Sequence, residues 1–216
     1  MNVRCAAAAA LLSILTVAPA VAQAPPPAAV SALGIDLAAL PRPVEGVEGV
    51  PTRLFKDGRV YIAGQPSEGA LKQLRERGVT LDVTLRTNEE LADRKLVSFD
   101  EAATAGTIGV EFLQLPIGGD AMRYRPEVLD RLHEALERHT GPVLLHCASG
   151  VRASYVWAAY LVKYGGLTID QAMARGRAIG IAEDPVGQLL ARPTALTLGD
   201  GQAKTSAPPP PLPDRR

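Results

Sequence analysis

The sequence predicts an α/β domain with a largely parallel central sheet and helices on both faces. Three observations carry this. Short β-rich runs alternate with longer stretches of helical periodicity. One run, Pro142 to His146, is apolar up to its final His, as a strand covered on both faces must be. The stretch after it, Val151 to Tyr164, is apolar on almost every side and belongs in the interior. With 47% hydrophobic residues, the 216-residue chain can fill such a core, and with only 4% aromatics the filling must be aliphatic.

Each element has its own signal. Arg59 to Ala63 is a β-rich run. Gly64-Gln65-Pro66 turns the chain, and Ser67 can cap a helix from Glu68 to Arg77 that buries Leu71 and Leu74 before Gly78 stops it. Thr80 to Leu85 is a strand, Phe99 to Ala105 a helix ended by Gly106, and Val110 to Leu115 a strand ending at Pro116. After the loop Gly118-Gly119-Asp120, Pro126 suits the first turn of a helix. Val128, Leu129, Leu132, Ala135 and Leu136 carry its periodicity as far as His139. Gly165-Gly166 ends the Val151 helix, and Thr168-Ile169-Asp170-Gln171 is a capping box for another.

The ends differ in composition. Arg4, the apolar Ala6 to Val17 and the small residues Ala20-Val21-Ala22 read as a signal peptide over 1–22, cleaved before Gln23. The apolar stretch is too short for a membrane span, which needs about 20 residues. A bacterial periplasmic or secreted location is expected, with no stable membrane span after cleavage. Residues 23–48 form an Ala/Pro-rich leader, 49–192 the α/β domain and 193–216 a Pro-rich disordered tail. Lys and Arg number 23 against 23 Asp and Glu, so no basic face is available to grip nucleic acid. Cleavage removes Cys5 and leaves Cys147 as the only thiol, unable to form an intrachain disulfide.

The chemistry gathers at Leu144-Leu145-His146-Cys147-Ala148-Ser149-Gly150-Val151-Arg152-Ala153-Ser154. This segment runs from a buried strand through a short loop into a buried helix. Ligands of open α/β sheets bind at the carboxyl ends of the strands. There the loop amides and the helix N-terminus converge on one point and favour an anion. Gly150 permits the bend, Arg152 offers a planar charged fork and Ser154 a hydroxyl able to reach the sulfur or a leaving group. Such surroundings favour a thiolate nucleophile. Ser149 is a rival hydroxyl without an accompanying base in the sequence.

The His-Cys pair, the Gly-containing loop and the following Arg and Ser resemble the Cys-based protein tyrosine and dual-specificity phosphatases. Ile62-Ala63-Gly64-Gln65-Pro66-Ser67 and Val83-Thr84-Leu85-Arg86 are similar to a bacterial branch of that family, the phosphatase-like domain of beta-lactamase-hydrolase-like proteins. The resemblance spans roughly Arg59 to Met173. It implies hydrolysis of phosphoric monoesters through a thiophosphate on Cys147, with Arg152 and the loop residues Ala148, Ser149, Gly150 and Val151 holding the phosphoryl oxygens. It also implies a loop Asp as general acid. Asp120 is the best placed, ahead of Asp93 and Asp100. Arg86 can line the pocket or pair with Glu89 or Glu90, and His146 tunes the thiol and holds the loop. The expected substrate is a phosphorylated protein or small molecule.

One feature departs from the phosphatase pattern. The spacing is Cys-x4-Arg, one residue short, although Ser154 keeps its usual distance from the Cys. Rhodanese-type sulfurtransferases, which carry a persulfide on the Cys, show the same Cys-x-x-Gly-x-Arg spacing. That reading stands as an alternative, as does a silent oxyanion-binding module. Neither a ligand-spaced His/Cys cluster nor a nucleotide-binding Gly motif occurs, so no metal or other cofactor is expected. His133 and His139 are expected on the solvated surface.

Overall fold

The computed structural model describes residues 28–118, 123–180 and 186–191, together with the backbone of 196–197 and 203–204. The expected signal peptide, the start of the leader, Asp120 and most of the tail lie outside the described residues.

In chain order the elements are α1 (Ala28–Ala32), β1 (Arg42–Pro43), β2 (Leu54–Asp57), β3 (Val60–Ala63), α2 (Glu68–Glu76) and β4 (Leu81–Thr84). Next come α3 (Asn88–Ala92), α4 (Glu101–Thr107), β5 (Glu111–Gln114), α5 (Glu127–Arg138) and β6 (Val143–His146). The last are α6 (Val151–Lys163), α7 (Ile169–Ile179), α8 (Val186–Leu189) and the short antiparallel pair β7 (Leu196–Thr197) and β8 (Ala203–Lys204). Six strands form the main sheet in the order β1-β2-β3-β6-β4-β5. From β3 to β5 the pairing is parallel, while β2 and β1 add an antiparallel edge. The fold is therefore the largely parallel α/β sheet that the sequence implies, with the apolar run β6 near its centre.

Strand pleating divides the core in two. Val60 and Ile62, Leu81 and Val83, and Val143 and Leu145 face one side, packed under α5, α6 and α7. Tyr61, Ala63 and Leu144 face the other side, against Leu71 and Leu74 of α2 and Ala105 of α4. The helix starts agree with local chemistry. Ser67 accepts from the Ala70 amide, and both Thr87 and Thr168 form complete capping boxes. Helix α6 buries nine consecutive residues from Ala153 to Leu161, so its central turns lie inside while Lys163 at its end is exposed. Each Leu- or Val-sized side chain so buried stabilises by about 1.5–3 kcal/mol.

One expectation needs correcting, and one element is new. Residues 28–48 are more than a leader: Val30, Leu33 and Ile35 join the core, and β1 pairs with β2. The Ala/Pro composition hid three apolar residues that find a partner surface. The hairpin β2–β3 is also an addition. Its two-residue Gly58-Arg59 turn is short enough for a hairpin, but β2 has only Leu54 and Phe55 as apolar residues. Asp57 is buried there, accepting from Trp157 Nε1 at 2.9 Å and from Arg175 Nε at 3.1 Å. That contact ties the hairpin to α6 and α7.

Candidate active site

Parallel register aligns Ala63, His146 and Thr84 across β3, β6 and β4 at their carboxyl ends. The chain leaves β6 at Cys147, whose amide donates to the Ala63 carbonyl at 3.3 Å, and enters α6 at Val151. Gly150 is the N-cap of α6, with φ of +87°, a backbone state that favours glycine. In that conformation its amide points back and donates to Cys147 Sγ at 3.2 Å. The thiol, 1% exposed, thus lies on the floor of a cradle formed by the loop and the first turn of α6.

The back of the cradle is fixed by polar contacts. The Gln65 amide donates to the Ala148 carbonyl at 3.0 Å, and Arg53 Nη1 donates to the Ser149 carbonyl at 2.9 Å. Gly64 explains the Gly-Gln-Pro segment. A Cβ there would stand 2.0 Å from Thr52 Oγ1 and 3.2 Å from the Ala148 carbonyl oxygen, so the loop can approach only a glycine. The loop carbonyls of Ala148 and Ser149 point outward to these donors. Ser154 departs from its expected role. It is buried, and its hydroxyl donates to the Gly150 carbonyl at 2.8 Å one turn earlier, so it braces the loop instead of reaching the sulfur.

Arg152 is aimed by acceptors on three segments. Its Nη1 donates to Glu90 Oε2 at 2.8 Å, to the Leu85 carbonyl at 3.2 Å and to the Ile117 carbonyl, and its Nη2 donates to Glu90 Oε1 at 2.6 Å. Burial works against the charge of Arg152, but Glu90 and Cys147 outweigh it and hold its pKa above the ordinary value. Arg152 therefore stands beside the thiol in spite of the short Cys-x4-Arg spacing. Burial pushes the Glu90 carboxyl up, but Arg152, the Thr87 amide and Arg86 outweigh it and hold it below its usual range.

Of the two partners open to Arg86, Glu89 and Glu90, it meets Glu90, with Arg86 Nη1 3.4 Å from Glu90 Oε1. The Arg86 side chain is enclosed behind that pair, so it supports Glu90 and does not line the pocket as a substrate ligand. The role of Glu90 as the clamp on Arg152 was not foreseen. Its signal was the Thr87-Asn88-Glu89-Glu90 capping box directly after a strand end, which fixes where Glu90 points. Tyr124 and Tyr155, in edge-to-face contact at 6.0 Å between ring centres, are a second addition. Burial, then Tyr155, pushes the Tyr124 hydroxyl up to about 12, with Arg152 and Cys147 among the charges it feels. Its ring is partly buried against the core cluster that includes Cys147.

His146, the residue before the nucleophile, points to the opposite face of the sheet from Cys147. It is fully buried and meets Asp82 and Glu101, with its Nε2 3.2 Å from Asp82 Oδ1 and 3.4 Å from Glu101 Oε1. Burial alone would lower the imidazole pKa, but the two carboxylates outweigh it and hold it at about 9. Burial raises Glu101 to about 7, against the pull of His146. The three groups are the one tight cluster of His, Cys, Asp or Glu among the described residues, and no metal is assigned to them. His133 is not simply solvated: it stacks on Tyr164 at 3.8 Å. His139 stands 3.0 Å from Glu111.

A parallel sheet with a Cys loop closing onto a buried helix, and an Arg beside the thiol, defines a Cys-based phosphatase-like domain of the protein tyrosine and dual-specificity kind. Residues 60–164 match the phosphatase-like domain of beta-lactamase hydrolase-like protein. Tk-PTP in its active form is 26% identical, with a TM-score of 0.52 over 63% of this chain and 94% of that one. PTPMT1 is 21% identical, with a TM-score of 0.51 over 62% of this chain and 87% of that one, a likeness of fold. TpbA of P. aeruginosa, solved in complex with pTyr, is 21% identical over 71% of this chain and 94% of that one, with a TM-score of 0.46. No curated protein matches the sequence.

Proposed function

We propose that the chain is a Cys-dependent phosphatase acting on phosphoric monoesters of a phosphorylated protein or small molecule. The observation that carries this is the convergence of the Gly150 amide and the Arg152 guanidinium on Cys147 at the N-terminus of α6. Such a cradle stabilises the equatorial oxygens of a phosphoryl group in transfer. Sulfur attacks phosphorus, the S–P bond forms and the ester P–O bond breaks. Asp120 gives its proton to the leaving oxygen. Water then attacks the thiophosphate, Asp120 takes the proton, the S–P bond breaks and inorganic phosphate leaves. Asp120 lies outside the described residues. The acceptor contact of Ile117 with Arg152 supports its assignment, because the chain enters the Asp120 loop from the site itself. The first 22 residues are assigned as a signal peptide that delivers a periplasmic or secreted protein starting at Gln23. Among the described residues, no helix is long and apolar enough to cross a membrane.

Paired assays test the reading. Purified protein should hydrolyse aryl phosphates and leave thiosulfate untouched, and Cys147→Ser should abolish turnover. Asp120→Asn should slow phosphates with basic leaving groups about 10²–10⁴-fold and spare those with acidic ones. Turnover of thiosulfate without any phosphate ester would establish the sulfurtransferase alternative. Equal slowing of all leaving groups would remove Asp120 from the role of acid.

A further inference from the structure

Behind the nucleophile lies charge that the phosphate cradle does not use. Asp82 on β4, Glu101 at the start of α4 and His146 at the end of β6 are 0%, 3% and 0% exposed. Register explains the meeting. Thr84 pairs with His146, so Asp82, two residues earlier, points to the same face one pleat below the ring. Helix α4 covers that face, and Asp100 caps it through the Ala103 amide, which fixes Glu101 in its first turn. The imidazole Nε2 stands between the two carboxylates at 3.2 Å and 3.4 Å, aligned as a hydrogen bond with neither. Both ring nitrogens, both Asp82 oxygens and Glu101 Oε2 are buried without an aligned partner.

Charge decides what such a cluster can be. Two ionised carboxylates and a neutral ring would place two negative charges in a dry interior, where each uncompensated ion costs several kcal/mol. An imidazolium leaves one negative charge, and a proton on Glu101 brings the cluster to neutrality. A divalent cation would neutralise it too. However, Gln65 Nε2 donates to Glu101 Oε1 at 2.9 Å and to the Pro66 carbonyl at 3.2 Å. The donor end of an amide, which repels a cation, therefore lies against the carboxylate oxygen nearest the ring.

We propose that Glu101 and Asp82 are positioning residues for the nucleophile: they hold His146 as an imidazolium, and Glu101 keeps a second proton, so that a positive ring stays directly behind Cys147. The proposal rests on the reading of Cys147 as the nucleophile. Glu101 reaches the loop by two routes. One is His146, the residue bonded to Cys147 in the chain. The other is Gln65, whose backbone amide holds the Ala148 carbonyl at 3.0 Å. The charged and titratable groups facing Glu101 are His146 from β6, Asp82 from β4 and Arg86 beyond β4, and Cys147 faces His146 from the other side. When the Glu101 proton leaves on the alkaline side, the cluster gains a negative charge behind Cys147 and turnover should fall. Glu101→Gln cannot lose that proton and should not show this loss.

The test uses the full chain with two readouts. Long-range proton–nitrogen spectra of the His146 ring should show both nitrogens protonated from pH 5.5 to 8, and Glu101→Gln and Asp82→Asn should each lower the titration midpoint by at least one unit. With an aryl phosphate of acidic leaving group, kcat of the wild type should fall on the alkaline side, and Glu101→Gln should remove that limb while KM stays within about twofold. A ring neutral at pH 7 in the wild type overturns the proposal, as does a Glu101→Gln protein with unchanged ring titration and unchanged kcat profile. One equivalent of divalent metal retained in native mass spectrometry would overturn it in favour of a cation. If Glu101→Gln does not fold, the wild-type ring spectrum and Asp82→Asn decide. A wild type that hydrolyses no phosphate ester refutes the phosphatase reading, while the ring spectra still decide whether the two carboxylates hold an imidazolium.

Discussion

At the residue scale, Arg152 has to meet two geometric demands. It must present planar donors to a phosphoryl group, and it must hold Glu90 at 2.6 Å and 2.8 Å with both terminal nitrogens. A lysine keeps the charge but has one nitrogen and no fork. Arg152→Lys should therefore lower kcat on an aryl phosphate by about 10²–10³-fold, within tenfold of Arg152→Ala. A Lys variant with near wild-type turnover would show that a point charge suffices. Cys147, Arg152 and Gly150 were legible in the sequence because one short segment carries them. Glu90 was visible only as an i, i+4 companion of Arg86, since its grip on Arg152 spans 62 positions in the chain.

At the element scale, the antiparallel edge is joined to the helical face through one buried acid. Asp57 at the end of β2 receives Trp157 from α6 and two nitrogens of Arg175 from α7, and both charged side chains are nearly inaccessible. Removing one partner of a buried pair leaves the other charge unpaired, which costs about 3–5 kcal/mol. Asp57→Asn should thus lower Tm by roughly 10 °C in a thermal melt, since about 1 kcal/mol moves Tm by about 2–4 °C at this size. A shift below about 2 °C would mean that Arg175 finds water or another acceptor. The strands β3, β4, β5 and β6 were each legible to within a residue or so, because apolar runs bounded by Gly and Pro leave few alternatives. Strand β2 was not, because much of its burial comes from neighbours distant in sequence.

At the scale of the whole molecule, stability should depend on pH through the protons held in the interior. Glu101 is raised from 4.5 to about 7 and His146 from 6.5 to about 9, so the folded chain binds these protons more tightly than the unfolded one. The contribution of Glu101 is whole below about 4.5 and lost as pH rises through about 7. That of His146 is whole below about 6.5 and lost as pH rises through about 9. Glu90 works the other way: its lowered carboxyl adds stability above its ordinary value of 4.5 and loses it in acid. Tm should therefore be higher at pH 6 than at pH 9, and the decline between pH 6 and 7.5 should be shallower in Glu101→Gln. A Tm that is level or rising from pH 6 to 9 would refute this balance.

The sequence alone determined the α/β class, the parallel core strands, the strand–loop–helix carrying Cys147 and Arg152, and the family resemblance. These follow from periodicity, capping residues and a contiguous motif, all of which act over fewer than about twenty residues. It could not show that 28–35 reach the core, that Arg86 is enclosed, that Ser154 braces the loop, or that Glu90 clamps Arg152. Nor could it bring Asp82 and Glu101 to the ring of His146. Those depend on the strand order β3-β6-β4, which sets β6 between partners from distant parts of the chain. Such pairings are decided by burial and register across the finished sheet, where a polar group is retained only if another, far away in sequence, arrives to meet it.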